Sequence, residues 1–103
     1  MRIIAGQFKG RKLLTPENDA IRPTSDRTRE SIFNLLMHGK YAGENIMDQH
    51  VLDICCGTGA LGLEALSRGA RIATFIDQDK KSIELAKKNA LHSMIKSPFI
   101  LSE

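Results

Sequence analysis

The sequence predicts an α/β protein built on a parallel sheet, and three observations carry that prediction. A short apolar run, Val51-Leu-Asp-Ile-Cys-Cys56, ends in glycines and leads into a helical pattern. A second β-rich run, Arg71 to Ile76, leads into a second helical pattern. An acidic residue, Asp77, closes that run 20 residues after Gly57. Strand, glycine turn, helix, strand and helix, in that order, argue for parallel strands joined by crossover helices. Ligands of such sheets bind beyond the carboxyl ends of the strands, where both the glycine loop and Asp77 fall.

The 103 residues, 42% hydrophobic, suit one compact unit but supply too few strands for a complete doubly wound domain. No apolar run approaches the length of a membrane helix, and the N-terminus lacks the apolar core of a signal peptide, so a cytoplasmic location is expected. Cys55 and Cys56 are too few and too close for a disulfide scaffold or a metal site; buried thiols and no metal are expected. The net charge of +3 is uneven. Residues 1–40 hold eight Lys/Arg against four Asp/Glu, whereas residues 41–103 hold seven against eight. A basic segment joined to a near-neutral one suggests an anionic partner, although an ordinary solvated surface would look the same.

The elements follow in order. Ile3–Ala5 and Lys12–Thr15 read as two short strands of a hairpin joined through Gly6 to Gly10, with Pro16 and Asn18-Asp19 marking a turn. Thr24 or Ser25 is a candidate helix cap. Ile32, Leu35 and Leu36 then follow helical spacing, with Phe33 beside them, and Gly39 is a stop. A polar connection spans 40–49. Ala60 to Arg68 is a helix ending at Gly69. Lys80 to Met94 is a longer one, with Ile83, Ala86, Ala90, Leu91 and Met94 on one face and Lys80, Lys81, Lys87 and Lys88 facing solvent. Pro98 to Leu101 begins a third strand. The chain thus divides into a basic hairpin and helix, 1–40, and a ligand-binding portion, 41–103.

Gly57-Thr-Gly59-Ala-Leu-Gly62 is a G-x-G-x-x-G pattern in the context it requires, after a strand and opening a helix. Gly57 and Gly59 would let the backbone turn sharply and approach a ligand, and Gly62 would let helix pack on strand. Asp77 is placed to accept hydrogen bonds from the ribose hydroxyls of an adenosine, or else to cap; Asp79 fits an N-cap for the following helix. Two cofactors suit this arrangement. A nicotinamide dinucleotide would rest its pyrophosphate on the helix N-terminus. S-adenosylmethionine has no phosphate, and Asp53, four residues before Gly57, would repel a pyrophosphate but suit the ammonium of a methionine moiety. Asp53 could equally pin the loop backbone, which either cofactor allows. The candidate cofactor-binding set is Asp53, Cys56, Gly57, Gly59, Asp77 and Gln78.

At these residues the sequence resembles a known family, the bacterial enzymes that methylate the exocyclic N2 of one guanine in 16S ribosomal RNA (the RsmD type). The likeness runs through Met1-Arg-Ile-Ile-Ala-Gly6, Gly10-Arg-Lys-Leu13, Arg22-Pro-Thr-Ser-Asp-Arg27 with Arg29-Glu30, Phe33-Asn-Leu35 and Val51 to Ala70. It implies an incomplete Rossmann-like class I S-adenosylmethionine-dependent methyltransferase fold with an N-terminal β-hairpin and helix extension. It also implies S-adenosylmethionine as methyl donor, with Gly57, Gly59 and Asp77 at the family's cofactor positions. The implied partner is 16S ribosomal RNA in the assembling small subunit, with Arg22, Thr24, Arg27 and Arg29 on the RNA side. Arginines there could contact phosphate, or, beside Glu30, simply pair with it. Asp77 stands where glutamate is usual in the family.

The family's catalytic loop, Asp/Asn-Pro-Pro-Tyr/Phe, is absent; the only proline after Pro23 is Pro98. That loop would orient a poorly nucleophilic amine of an unstacked base. His38, His50 and His92 are scattered, and no residue is assigned a catalytic role. The 103 residues alone are expected to bind cofactor weakly, not to methylate RNA, and to self-associate through an open sheet edge. Two other readings stay open: a nicotinamide oxidoreductase, which needs the loop but not Asp53, and a non-catalytic RNA-binding module, which needs neither aspartate.

Overall fold

The computed structural model describes residues 1–15, 24–38, 46–54, 56–93, 95 and 99–102. Its elements are α1 (Asp26–His38), β1 (His50–Ile54), α2 (Ala60–Ser67), β2 (Ile72–Ile76), α3 (Lys80–His92) and β3 (Phe99–Ser102). The strands form one parallel sheet in the order β1-β2-β3. The register pairs Asp53 with Phe75 and Phe75 with Leu101.

Strand alternation gives this sheet two different faces. Val51, Asp53, Ala73, Phe75, Phe99 and Leu101 point to the side covered by α2 and α3, where Ala73 and Phe75 are fully buried. Leu52, Ile54 and Ile100 point the other way and are half or more exposed. Among the described residues, β1 and β3 are the edges. An uncovered apolar face and an open β1 edge are the structural preconditions of the expected self-association.

Helix starts follow local chemistry. Ser25 Oγ accepts from Thr28 N–H, and Ser25 carbonyl oxygen accepts from Arg29 N–H, so Ser25 caps α1. Asp79 Oδ1 accepts from Lys81 N–H and caps α3, as its position suggested. The two expected apolar stripes hold in part: Phe33, Leu36, Ile83, Ala86 and Ala90 lie in or against the core, but other members do not. The buried residues of α1 are Arg29 and Phe33, while Ile32 and Leu35 are exposed. On α3 the buried residues are Ser82, Ala86, Asn89 and Ala90, and Leu91 is exposed. Both inward faces carry polar side chains with buried partners, which apolar periodicity does not register. The expected helix stop at Gly39, the turn at Pro16 and Met94 lie outside the described residues.

The N-terminal hairpin is shorter than the two strands expected. Arg2 and Lys12 form one antiparallel bridge, with Ile3 N–H donating to Arg11 carbonyl and Leu13 N–H to Met1 carbonyl. Pairing stops there because the next backbone groups bond to α2 instead. Ile4 N–H and Ala5 N–H donate to the Glu64 carboxylate, at 2.9 and 3.1 Å. Ser67 Oγ accepts from Phe8 N–H and donates to Ala5 carbonyl, and Ser67 carbonyl accepts from Gln7 N–H. Ile3, Phe8 and Leu13 enter the main core, so the segment is part of the body of the protein.

Glu64 also gathers α1. Its carboxylate accepts from Arg68 Nε at 2.8 Å and lies 3.5 Å from Arg29 Nε, and both Glu64 and Arg29 are fully buried. The Arg68 guanidinium covers the Phe33 ring at 4.9 Å. A buried ion pair is costly to break from one side, because the remaining charge is stranded. Glu64→Ala is expected to lower unfolding stability by about 3–5 kcal/mol, and Glu64→Gln by less, as read from urea unfolding. An unchanged midpoint for Glu64→Ala would contradict the role given to this carboxylate.

Candidate cofactor site at the glycine loop

Residues 56–62 link the carboxyl end of β1 to α2, and every turn of this loop is tied down. Cys56 N–H donates to Ile76 carbonyl, and Gly59 N–H donates to Cys56 carbonyl. Gly59 has φ +82 and is the N-cap position of α2, a conformation that disfavours any side chain. Gly62 lies against Phe75: a Cβ there would stand 2.3 Å from the ring, so α2 can pack on β2 only with glycine at this position. Thr58 is buried, and its Oγ1 accepts from Ala60 N–H.

The two aspartates grip the loop from opposite sides. Asp53, on the helix-facing side of β1, is 7% exposed, and its Oδ2 accepts from Gly62 N–H at 3.0 Å. Asp77, at the end of β2, uses Oδ2 to accept from Gly57 N–H at 3.0 Å and Oδ1 to accept from Asp79 N–H at 2.9 Å. Asp53 thus pins the loop backbone, and Asp77 does so too while also bonding the N–H of the α3 cap residue, Asp79. Neither is thereby spent as an acceptor, since a carboxylate offers about four lone-pair directions. Asp77 keeps part of its surface in solvent, whereas Asp53 keeps very little.

Burial pushes the Asp53 carboxyl up to about 6; the Gly62 N–H bond works against this, and the nearby charge of Asp77 adds to it. The fold therefore prefers Asp53 protonated. The stability it contributes is fully present below the ordinary value near 3.8 and is lost as pH rises through about 6.

The other expected site residues separate. Cys56 is buried with its backbone in the loop, Gln78 is exposed just beyond β2, and Cys55 lies outside the described residues. On the basic side, Arg27 is exposed on the first turn of α1, and Thr24 is half-buried with its carbonyl accepting from Arg29. Arg22 lies outside the described residues. Arg29 is a correction. It is fully buried, its guanidinium donates to Thr24 and Arg2 carbonyls and to Asp26, and it faces Glu64 rather than the neighbouring Glu30. It has no surface to offer a phosphate. Among the described residues, no group of three or more His, Cys, Asp or Glu side chains could hold a metal ion, and no helix is long and apolar enough to cross a membrane.

Sequence reasoning missed Asn89. This fully buried residue of α3 accepts from Leu14 N–H and donates to the carbonyls of Leu14 and Thr58, at 3.1 and 2.8 Å. A polar residue among Ala86 and Ala90 was the available sign of it.

Ribosomal RNA small subunit methyltransferase D of Escherichia coli strain K12 is 47% identical over 89 residues, 86% of this chain and 42% of that protein. The Haemophilus influenzae protein of the same name is 44% identical over 89 residues, 86% of this chain and 43% of that protein. The chain therefore spans less than half the length of these curated relatives. Among solved structures, "Putative methyltransferase yhhF from Escherichia coli" superposes with a TM-score of 0.77 at 39% identity, covering all of this chain and 52% of that one. Its fold is thus the Rossmann-like methyltransferase fold, present here as a three-stranded part. The family model described as "Conserved hypothetical protein 95" matches residues 1–101, and the chain belongs to that family.

Proposed function

We propose that this chain forms the S-adenosylmethionine-binding part of an enzyme that methylates a guanine N2 in small-subunit ribosomal RNA. The observation that carries the reading is the pair of carboxylates, Asp53 and Asp77, flanking a fixed glycine loop at the carboxyl ends of adjacent parallel strands. Relatives named as ribosomal RNA methyltransferases support the substrate class. The residues fit the cofactor. Gly59 offers backbone with no Cβ, and partly exposed Asp77 has acceptor capacity left for ribose hydroxyls. Asp53 offers a negative charge to an ammonium group, and Cys56 and Gln78 border the same loop. When bound, S-adenosylmethionine supplies a methyl group on a sulfonium for transfer to the guanine amine.

The N-terminal segment and the start of α1 would serve the RNA. Arg2, Lys9 and Lys12 are exposed on the hairpin, and Arg27 is exposed on α1. Such cations meet phosphates and position the substrate without reading its sequence. Thr24 and Arg22 belong to the same proposed region, and Arg29 supports it from inside. The division into a basic substrate side, 1–40, and a cofactor side, 41–103, belongs to the same proposal, as do a cytoplasmic location and self-association of the isolated chain through the β1 edge.

Three outcomes are expected. In calorimetry the chain binds S-adenosylhomocysteine in preference to NAD, and Asp77→Ala weakens that binding roughly tenfold or more. Tight NAD binding with none of S-adenosylhomocysteine would overturn the reading. Between pH 5 and 7 the affinity for S-adenosylhomocysteine rises as Asp53 ionises, because the ligand's ammonium favours the carboxylate that burial disfavours; Asp53→Asn removes the slope. Finally, Arg27→Ala weakens binding to a 16S RNA fragment across sequences and reduces the salt slope by about one, as measured by fluorescence anisotropy at several salt concentrations.

A further inference from the structure

We infer that Asn89 is a positioning residue that ties the glycine loop to the N-terminal segment, so that a ligand on the loop is felt at Leu14. The inference rests on the cofactor reading above and adds a connection between its two halves.

Asn89 sits at the middle of the inward face of α3 and is fully buried. Both of its N–H donors and its carbonyl oxygen are engaged. Oδ1 accepts from Leu14 N–H at 2.6 Å, and Nδ2 donates to Leu14 carbonyl at 3.1 Å, so the side chain pairs with Leu14 as a neighbouring strand would. The second Nδ2 hydrogen goes to Thr58 carbonyl at 2.8 Å, between Gly57 and Gly59. The orientation of the amide is not open to choice, because one of its three partners is a donor and two are acceptors. Asn89 is 75 residues from Leu14 and 31 from Thr58 in the chain.

The surroundings make this contact specific. The same face of α3 offers Ser82 and Ala86, and the helix ends in buried Ser93, all small enough to let both backbones approach. Gly59 reaches within 3.0 Å of Ala86 Cβ, measured from the Cβ it lacks. The rest of the hairpin is fastened elsewhere: Ile4 and Ala5 to Glu64, and Phe8 to Ser67. The segment is thus attached to α1 through Arg2, to α2 through Glu64 and Ser67, and to α3 and its end through Asn89 and Arg11, and Asn89 also bonds the glycine loop. A ligand that fixes Thr58 stabilises the Asn89 amide and with it Leu14 directly, whereas Ile4 and Ala5 are reached only by way of Glu64, further along the helix that the loop opens. Coupling of this kind requires a contiguous physical contact and a measurable free energy between the two ends.

Amide hydrogen exchange of the full 103-residue chain, with and without S-adenosylhomocysteine, tests this. In the wild type, exchange at Leu14 is expected to slow about fivefold or more beyond any slowing at Ile4 and Ala5. Ligand binding that merely stabilised the whole fold would slow all three alike. In Asn89→Asp, which can still accept from Leu14 but cannot donate to either carbonyl, the excess at Leu14 is expected to disappear while the ligand still binds. Slowing at Gly57 and Gly59 without an excess at Leu14 would overturn the inference alone. An excess that persists in Asn89→Asp would overturn the assignment to Asn89. No slowing at Gly57, Gly59 or Leu14 would overturn the cofactor reading and this inference with it. The wild-type comparison decides the matter by itself if Asn89→Asp does not fold.

Discussion

The carboxylate of Glu64 is the group on which the arrangement of the other parts depends. Buried on α2, it accepts from two backbone amides of the N-terminal segment, from Arg68 on its own helix, and faces Arg29 on α1. One ionised group therefore fixes three pieces of chain that are far apart in sequence. A buried carboxylate is tolerated only when its lone pairs and its charge are both met, and here they are. Neutral hydrogen bonds could hold the hairpin, but they would not also draw in Arg29. Its guanidinium in turn organises Thr24 and Asp26 at the start of α1.

The glycine loop follows the same logic with opposite consequences. Asp53 and Asp77 both hold loop amides, and their charges disfavour each other. Burial makes Asp53 the less willing of the two to ionise. A cationic group beside Asp53 would relieve that tension and an anionic one would deepen it. The site is thus rigid in backbone and unsatisfied in charge, a combination suited to binding without rearrangement.

The sheet has a finished side and an unfinished one. Phe75 at its centre packs beneath Gly62 and edge-on to Phe99, with centroids 6.4 Å apart, and this contact sets how closely α2 lies on β2. The opposite face exposes Leu52, Ile54 and Ile100. A parallel sheet is ordinarily covered on both faces. The glycine loop and the hairpin pack with α2 and α3, the helices of the covered side, so the loop is fixed although only three strands are described.

The sequence by itself determined the parallel strand–helix order, the cap at Asp79 and a cap at Thr24 or Ser25, the glycine loop and the two aspartates beside it. These are local matters: turn geometry needs glycine, helix starts need a short polar acceptor, and strand ends are marked by changes in hydropathy. Only the tertiary structure decided what the polar residues inside helices do. Arg29, Glu64 and Asn89 look like ordinary solvated residues of helices, and Arg29 looked like a phosphate contact. Their partners are 27, 60 and 75 residues away, respectively. Whether a buried polar group is a binding group or a strut depends on which distant backbone reaches it, and no periodicity or motif encodes that distance.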